Sequence, residues 1–184
     1  MLKSRLYLAR QLSDHILEIP ELVDQFAAKS PDAVNLLLAW FDRVEAIMLN
    51  NRMIEAAMIA GYKSQIIAPA LDDRRGMNLR KRQQAVAISL VHQIQEGMAM
   101  AIRPHLAKID QARDIANQLL QIVAQAKVIQ LGVNLDIRQL AEQIWNVCAN
   151  HDQLKPLAVQ LKTILSQDDV IWLLVEEIEL ADFA

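Results

Sequence analysis

The sequence predicts an all-α fold, a bundle of about six or seven helices, and three observations carry that prediction. Hydrophobic residues make up 53% of the 184 positions, while aromatics are only 4% and glycines number 4. The apolar content is therefore Leu, Ile, Val, Ala and Met, which suits helix interfaces better than a β-sandwich. Apolar residues also recur at helical spacing along most of the chain. Finally, the run Val170–Val175 would serve alone as a buried strand, but no second strand candidate lies nearby, so it is read as helix.

Taken in order, Leu2, Leu6, Ala9, Leu12 and Ile16 mark a first helix over Leu2–Leu17. Its basic, acid-free start, with Lys3, Arg5 and Arg10, is read as a basic solvent face rather than a mitochondrial presequence or membrane-surface helix. Pro20 is expected to end this helix and open a short one over Glu21–Ala28. Ser30, Pro31 and Asp32 form a start signal, an N-cap followed by a proline and a first-turn acid. Helical pattern then runs from Val34 to Ile59, with Gly61 as C-cap. Tyr62–Leu71 is apolar but non-periodic and is read as a loop.

Asn78 is a candidate N-cap for the stretch Leu79–Leu131. Pro104 lies within it, and the preceding Arg103 offers no capping oxygen. We expect a break or sharp kink there, giving a long helical pair, 79–102 and 104–131, packed near the centre of the bundle. The alternative is a continuous rod of about 80 Å. In the second half, Ile115, Leu119, Ile122, Ala126 and Ile129 lie beside a line of Ile109, Ala112, Ala116, Leu119 and Val123. Together they cover more than half of the circumference.

Ile137, Leu140, Ala141, Ile144, Trp145 and Cys148 give an amphipathic helix. Pro156 opens another, and Ser166–Asp169 resembles a capping box with a short acid in place of glutamate, starting the last helix. The chain reads as one helical-bundle domain over 1–184, with 133–184 as a candidate subdomain.

Net charge is −3, which argues against a surface that binds nucleic acid throughout, so any polyanion site is local. The single cysteine, Cys148, excludes an intrachain disulfide and suits a reducing compartment, so a cytoplasmic location is expected. No uninterrupted apolar run approaches the roughly 18 residues of a bilayer span, and no transmembrane segment is expected.

The candidate site is the basic segment Arg74, Arg75, Arg80, Lys81 and Arg82, five cations in nine residues. Free amides at a helix start complement arginine forks, the chemistry of an anion or nucleic-acid contact. Against it, no aromatic residues interleave the cluster and no glycine-rich phosphate motif precedes it. A structural reading pairs it, within a subunit or across a dimer, with the acids Asp168, Asp169, Glu176, Glu177, Glu179 and Asp182, a stretch without a base. A third has a helix starting at Asp72, with the arginines on a solvated face.

No Glu-x-x-His pair is present for a di-metal centre, and His15/Glu18 and His92/Glu96 are read as outward local ion pairs. Cys148 is read as core, the methionines as gap-fillers, and Trp40, Trp145 and Trp172 as core or interface. We expect no catalytic residues, metal or cofactor. The sequence points instead to a non-catalytic interaction or regulatory protein that self-associates and binds a protein partner. Anion or nucleic-acid binding through 74–82 is the alternative, and an enzyme or small-ligand bundle with a buried apolar pocket is a second.

Overall fold

A computed structural model describes residues 3–70, 79–127, 129 and 136–179. The protein is an all-α, multi-helix bundle: α1 (Arg5–Ala27), α2 (Ala33–Asn50), α3 (Ala56–Ile67), α4 (Leu79–Ala126), α5 (Ile137–Asn150), α6 (Lys155–Ile164) and α7 (Gln167–Glu177). A single 3-10 turn covers Ala68–Ala70, and no strand occurs among the described residues. The contacts group into two compact units, residues 8–104 and residues 1–7 with 105–184.

Residues 8–104 share one core. It joins Leu12 and Phe26 of α1, Leu37, Trp40, Phe41 and Met48 of α2, Ile59 and Ile66 of α3, and Leu90, Ile94 and Met98 of α4. The Trp40 and Phe41 rings meet edge-on with centroids 5.3 Å apart, an arrangement worth about 0.5–1.5 kcal/mol beyond area burial. Trp40 Nε1 donates to the His15 carbonyl at 3.0 Å, satisfying the indole inside this core. Gly97 brings α3 close to α4: a Cβ there would stand 2.7 Å from Met58 Sδ, and Tyr62 Oη donates to the Gln93 carbonyl at 3.2 Å. Lys63 pairs with Asp42 and Glu45 at the rim.

In the other unit, the buried line Ile109, Ala112, Ala116, Leu119 and Val123 lies along the second half of α4. There α5 packs on α6 and α7. The stripe Leu140, Ala141, Ile144, Trp145 and Cys148 is buried as its spacing predicts, and Pro156 sits in the first turn of α6.

Several sequence expectations are corrected. The expected pair 79–102 and 104–131 is one helix, with Pro104 inside it. Pro104 and Met100 both face solvent, so the Met100 carbonyl left without an amide partner is open to water. Pro20 likewise lies inside α1, on an exposed position. The expected wide apolar girdle of the second half is one-sided, since Ile122 is 43% exposed. Gly61 is in the interior of α3, not at its end, and Tyr62–Ile67 is helical rather than loop.

The helix expected from Val34 to Ile59 is divided at Asn51–Glu55. The break was hidden because its left-handed residue is an arginine: Arg52 has φ 57°. Its N–H donates to Leu49 O at 3.0 Å and that of Met53 to Met48 O at 2.9 Å, the paired bonds of a Schellman cap. Lys29, φ 54°, closes α1 in the same way, and Lys127 takes φ 48° after α4. A cation at a helix C-terminus suits the dipole there, but glycine is the usual signal.

One helix is long and apolar enough to cross a bilayer by length and composition. Helix α4 contains an 18-residue window of mean hydropathy 1.2, 39% of it buried inside the protein. A one-sided apolar stripe averaged over a window reaches that value without an unbroken apolar run. His92, Gln93, Gln95 and Glu96 occupy its exposed side, a set unfavourable in hydrocarbon.

Candidate binding surfaces

Of the basic segment, Arg74 and Arg75 lie outside the described residues. The first turn of α4 carries the other three and no acid. Arg80 and Lys81 are exposed, whereas Arg82 is half-buried and its Nη2 donates to the Pro69 carbonyl at 2.9 Å. That bond ties the 3-10 turn to α4, so Arg82 has a structural task and the cationic surface here is Arg80 and Lys81. Three cations beside the positive end of a helix dipole oppose that dipole.

The acids of the last helix divide into committed and outward groups. Asp169, 2% exposed, is the one charged residue buried among the described residues. Its Oδ1 accepts from Ser4 Oγ at 2.5 Å and its Oδ2 from the Arg5 N–H at 2.7 Å. Ser4 Oγ in turn accepts from the Tyr7 N–H at 3.0 Å, capping α1. Ser166 Oγ accepts from the Asp169 N–H at 3.2 Å, so the serine half of the expected capping box is present. The carboxylate, however, serves α1 rather than its own helix. Glu177 takes Arg113 Nε at 2.5 Å and Asn117 Nδ2 at 3.2 Å. The partners found for these acids thus lie within their own unit, while Asp168, Glu176 and Glu179 are exposed.

Trp172 is 55% exposed, unlike Trp40 and Trp145, which are buried. The Arg138 guanidinium of α5 lies 5.7 Å from its ring centroid, in range for a cation–π contact. Glu176 lies one turn on from Trp172 along the same face of α7, and Glu179 follows just beyond the helix end. Inside the unit, Lys162 Nζ lies 5.4 Å from the Trp145 ring.

A surface depression of about 700 Å3 is lined by Lys3, Ser4, Lys162, Leu165, Ser166, Gln167 and Asp168. His92 and Glu96 form an exposed pair at 3.3 Å. His15 is corrected from outward to mostly buried, 14% exposed, with Nδ1 2.9 Å from Glu18 Oε1, and Glu18 also holds Arg43 at 2.5 Å. Burial pushes the Cys148 thiol up to about 11, so at neutral pH it is protonated and behaves as a small apolar side chain. Met48, Met53 and Met98 fill the core, whereas Met100 is 67% exposed. No group of His, Cys, Asp and Glu suited to a metal ion occurs among the described residues.

Sequence signals for these surfaces were uneven. The run of cations announced Arg80 and Lys81, but nothing local pairs Ser4 with Asp169, 165 positions on, or Arg138 with Trp172. No protein-family model, characterised protein or solved structure matches the chain.

Proposed function

We propose that the protein acts by binding rather than by catalysis, as a self-associating helical module that presents a helix face to a protein partner. The observation that carries this reading is Trp172, more than half exposed beneath Arg138 on the α5–α7 surface. Tryptophan and arginine are the residue types most enriched where truncation weakens protein interfaces. A large ring left half in water gains from being covered by another chain.

Sedimentation equilibrium over a wide concentration range tests this. The wild type associates, and Trp172→Ala weakens association at least about thirtyfold, the low end of a hot-spot effect. A wild type that is monomeric throughout would remove the self-association.

A second reading, binding of an anion or nucleic acid, is favoured by the exposure of Arg80 and Lys81 at the start of α4. It predicts binding of a DNA or RNA oligonucleotide that weakens steeply with salt and is lost in Arg80→Ala with Lys81→Ala. Unchanged binding in that double variant would discard it.

A further inference from the structure

We infer that the outer face of α6 in one copy of this chain, Lys155, Val159 and Lys162, docks on the outer face of α7 in a second copy, Asp168, Trp172 and Glu176. The inference rests on the self-association proposed above and names the surface that covers Trp172.

The two faces carry opposite charge around an apolar centre. Helix α6, KPLAVQLKTI, contains no acid, and Lys155, Val159 and Lys162 are exposed along it. Their spacings of four and three put them in one stripe, with the valine between the lysines. Helix α7, QDDVIWLLVEE, contains no base, and Asp168, Trp172 and Glu176 are exposed along it at spacings of four and four. At a rise of about 1.5 Å per residue, the lysines stand about 10 Å apart along their helix and the acids about 12 Å apart along theirs. Laid side by side in either direction, the faces set Val159 against Trp172 and each lysine near a carboxylate.

Neither face is covered within its own chain. Val159 is 52% exposed and Trp172 55%, so the two apolar side chains do not bury each other. Arg138 occupies one side of the indole, 5.7 Å from its centroid, and Lys162 is exposed although its Nζ lies 5.4 Å from the Trp145 ring. Charge decides which surface covers which. Pairing α7 with α7 would bring Asp168 and Glu176 against acids, and pairing α6 with α6 would bring lysine against lysine, both opposed by like charge. The contact is therefore heterologous, α6 of one copy meeting α7 of another. Both helices belong to one compact unit, which carries the two faces complete.

The test is sedimentation velocity on full-length variants changed at exposed positions only, comparing the step from one chain to two. Lys155→Glu with Lys162→Glu makes the α6 face acidic, and Asp168→Lys with Glu176→Lys makes the α7 face basic. Each variant alone meets like charge and associates at least about tenfold more weakly than wild type. A one-to-one mixture of the two restores association, because the acidic α6 meets the basic α7 and the unchanged faces still match. Val159→Glu, with the lysines and acids left in place, weakens association by a similar factor. If Trp172→Ala weakens association while Val159→Glu and the lysine reversal leave it unchanged, or if the mixture stays as weak as the separate variants, this docking is wrong while self-association stands. A wild type that never associates removes both.

Discussion

Replacing Asp169 by alanine tests the tie between the start of α1 and α7. The carboxylate accepts from the Ser4 hydroxyl and the Arg5 amide. Hydrogen bonds to a charged group are worth about 1.5–3 kcal/mol each. Both donors are half-buried, so water recovers part of that when the acceptor is lost, and the net cost is about 2–4 kcal/mol. For a chain of this size about 2–4 °C accompanies each kcal/mol, which puts the fall in Tm at about 4–16 °C. Asp169→Asn keeps a carbonyl acceptor for one donor and should lose about half as much. Thermal unfolding by calorimetry reads the shift, and amide hydrogen exchange at Arg5 and Tyr7 locates it. A fall in Tm below about 2 °C, with exchange unchanged at those amides, would refute the claim that this carboxylate holds the first turn of α1.

Four further substitutions follow from the backbone. Pro104→Ala, on the exposed side of α4, restores an amide to the Met100 carbonyl and should stabilise by about 1–3 kcal/mol in denaturant titrations; a loss would mean that packing on either side needs the proline. Gly61→Ala meets nothing within 4 Å and should gain about 0.8–1 kcal/mol from helix propensity, read as a rise in Tm, with a fall counting against Gly61 as an open helical position. Lys29→Gly and Arg52→Gly remove the left-handed cost of a side chain and should each raise stability by up to about 1 kcal/mol. Destabilisation in both would show that the basic side chains contribute more at these helix ends than glycine relieves.

The sequence was most informative where a helix had both a clear stripe and ordinary ends. Helix α5 shows its buried line in the spacing of Leu140, Ile144, Trp145 and Cys148, and Ser166 announced the start of α7. Errors arose where a residue's usual role depends on surroundings that lie far away in sequence. Proline breaks helices chiefly because it orphans a carbonyl, and at Pro20 and Pro104 solvent exposure removes much of that penalty. Chain reversals were missed because Lys29 and Arg52 stand where glycine would be read as a stop, while Gly61 advertised a stop that the backbone does not make.

Legibility of the candidate surfaces had the same boundary. Composition brought out Arg80 and Lys81, whereas the use of Arg82 on the Pro69 carbonyl depends on how the 3-10 turn lies against α4. Trp172 sits in an apolar run, Val170 to Val175, whose pattern does not tell core from interface. Packing of α7 on α5 buries Val170, Leu173 and Leu174 and leaves the ring outside with Arg138. Which residue of such a run faces water is decided by the partner helix, not by the run.

The proposal that the protein works by associating through exposed helix surface is checked most simply by its mass in solution. Sedimentation equilibrium of the wild type should show a concentration-dependent rise from the 20.8 kDa of one chain towards twice that value, with Trp172→Ala shifted to higher concentration. A mass that stays at one chain across the whole range would contradict it.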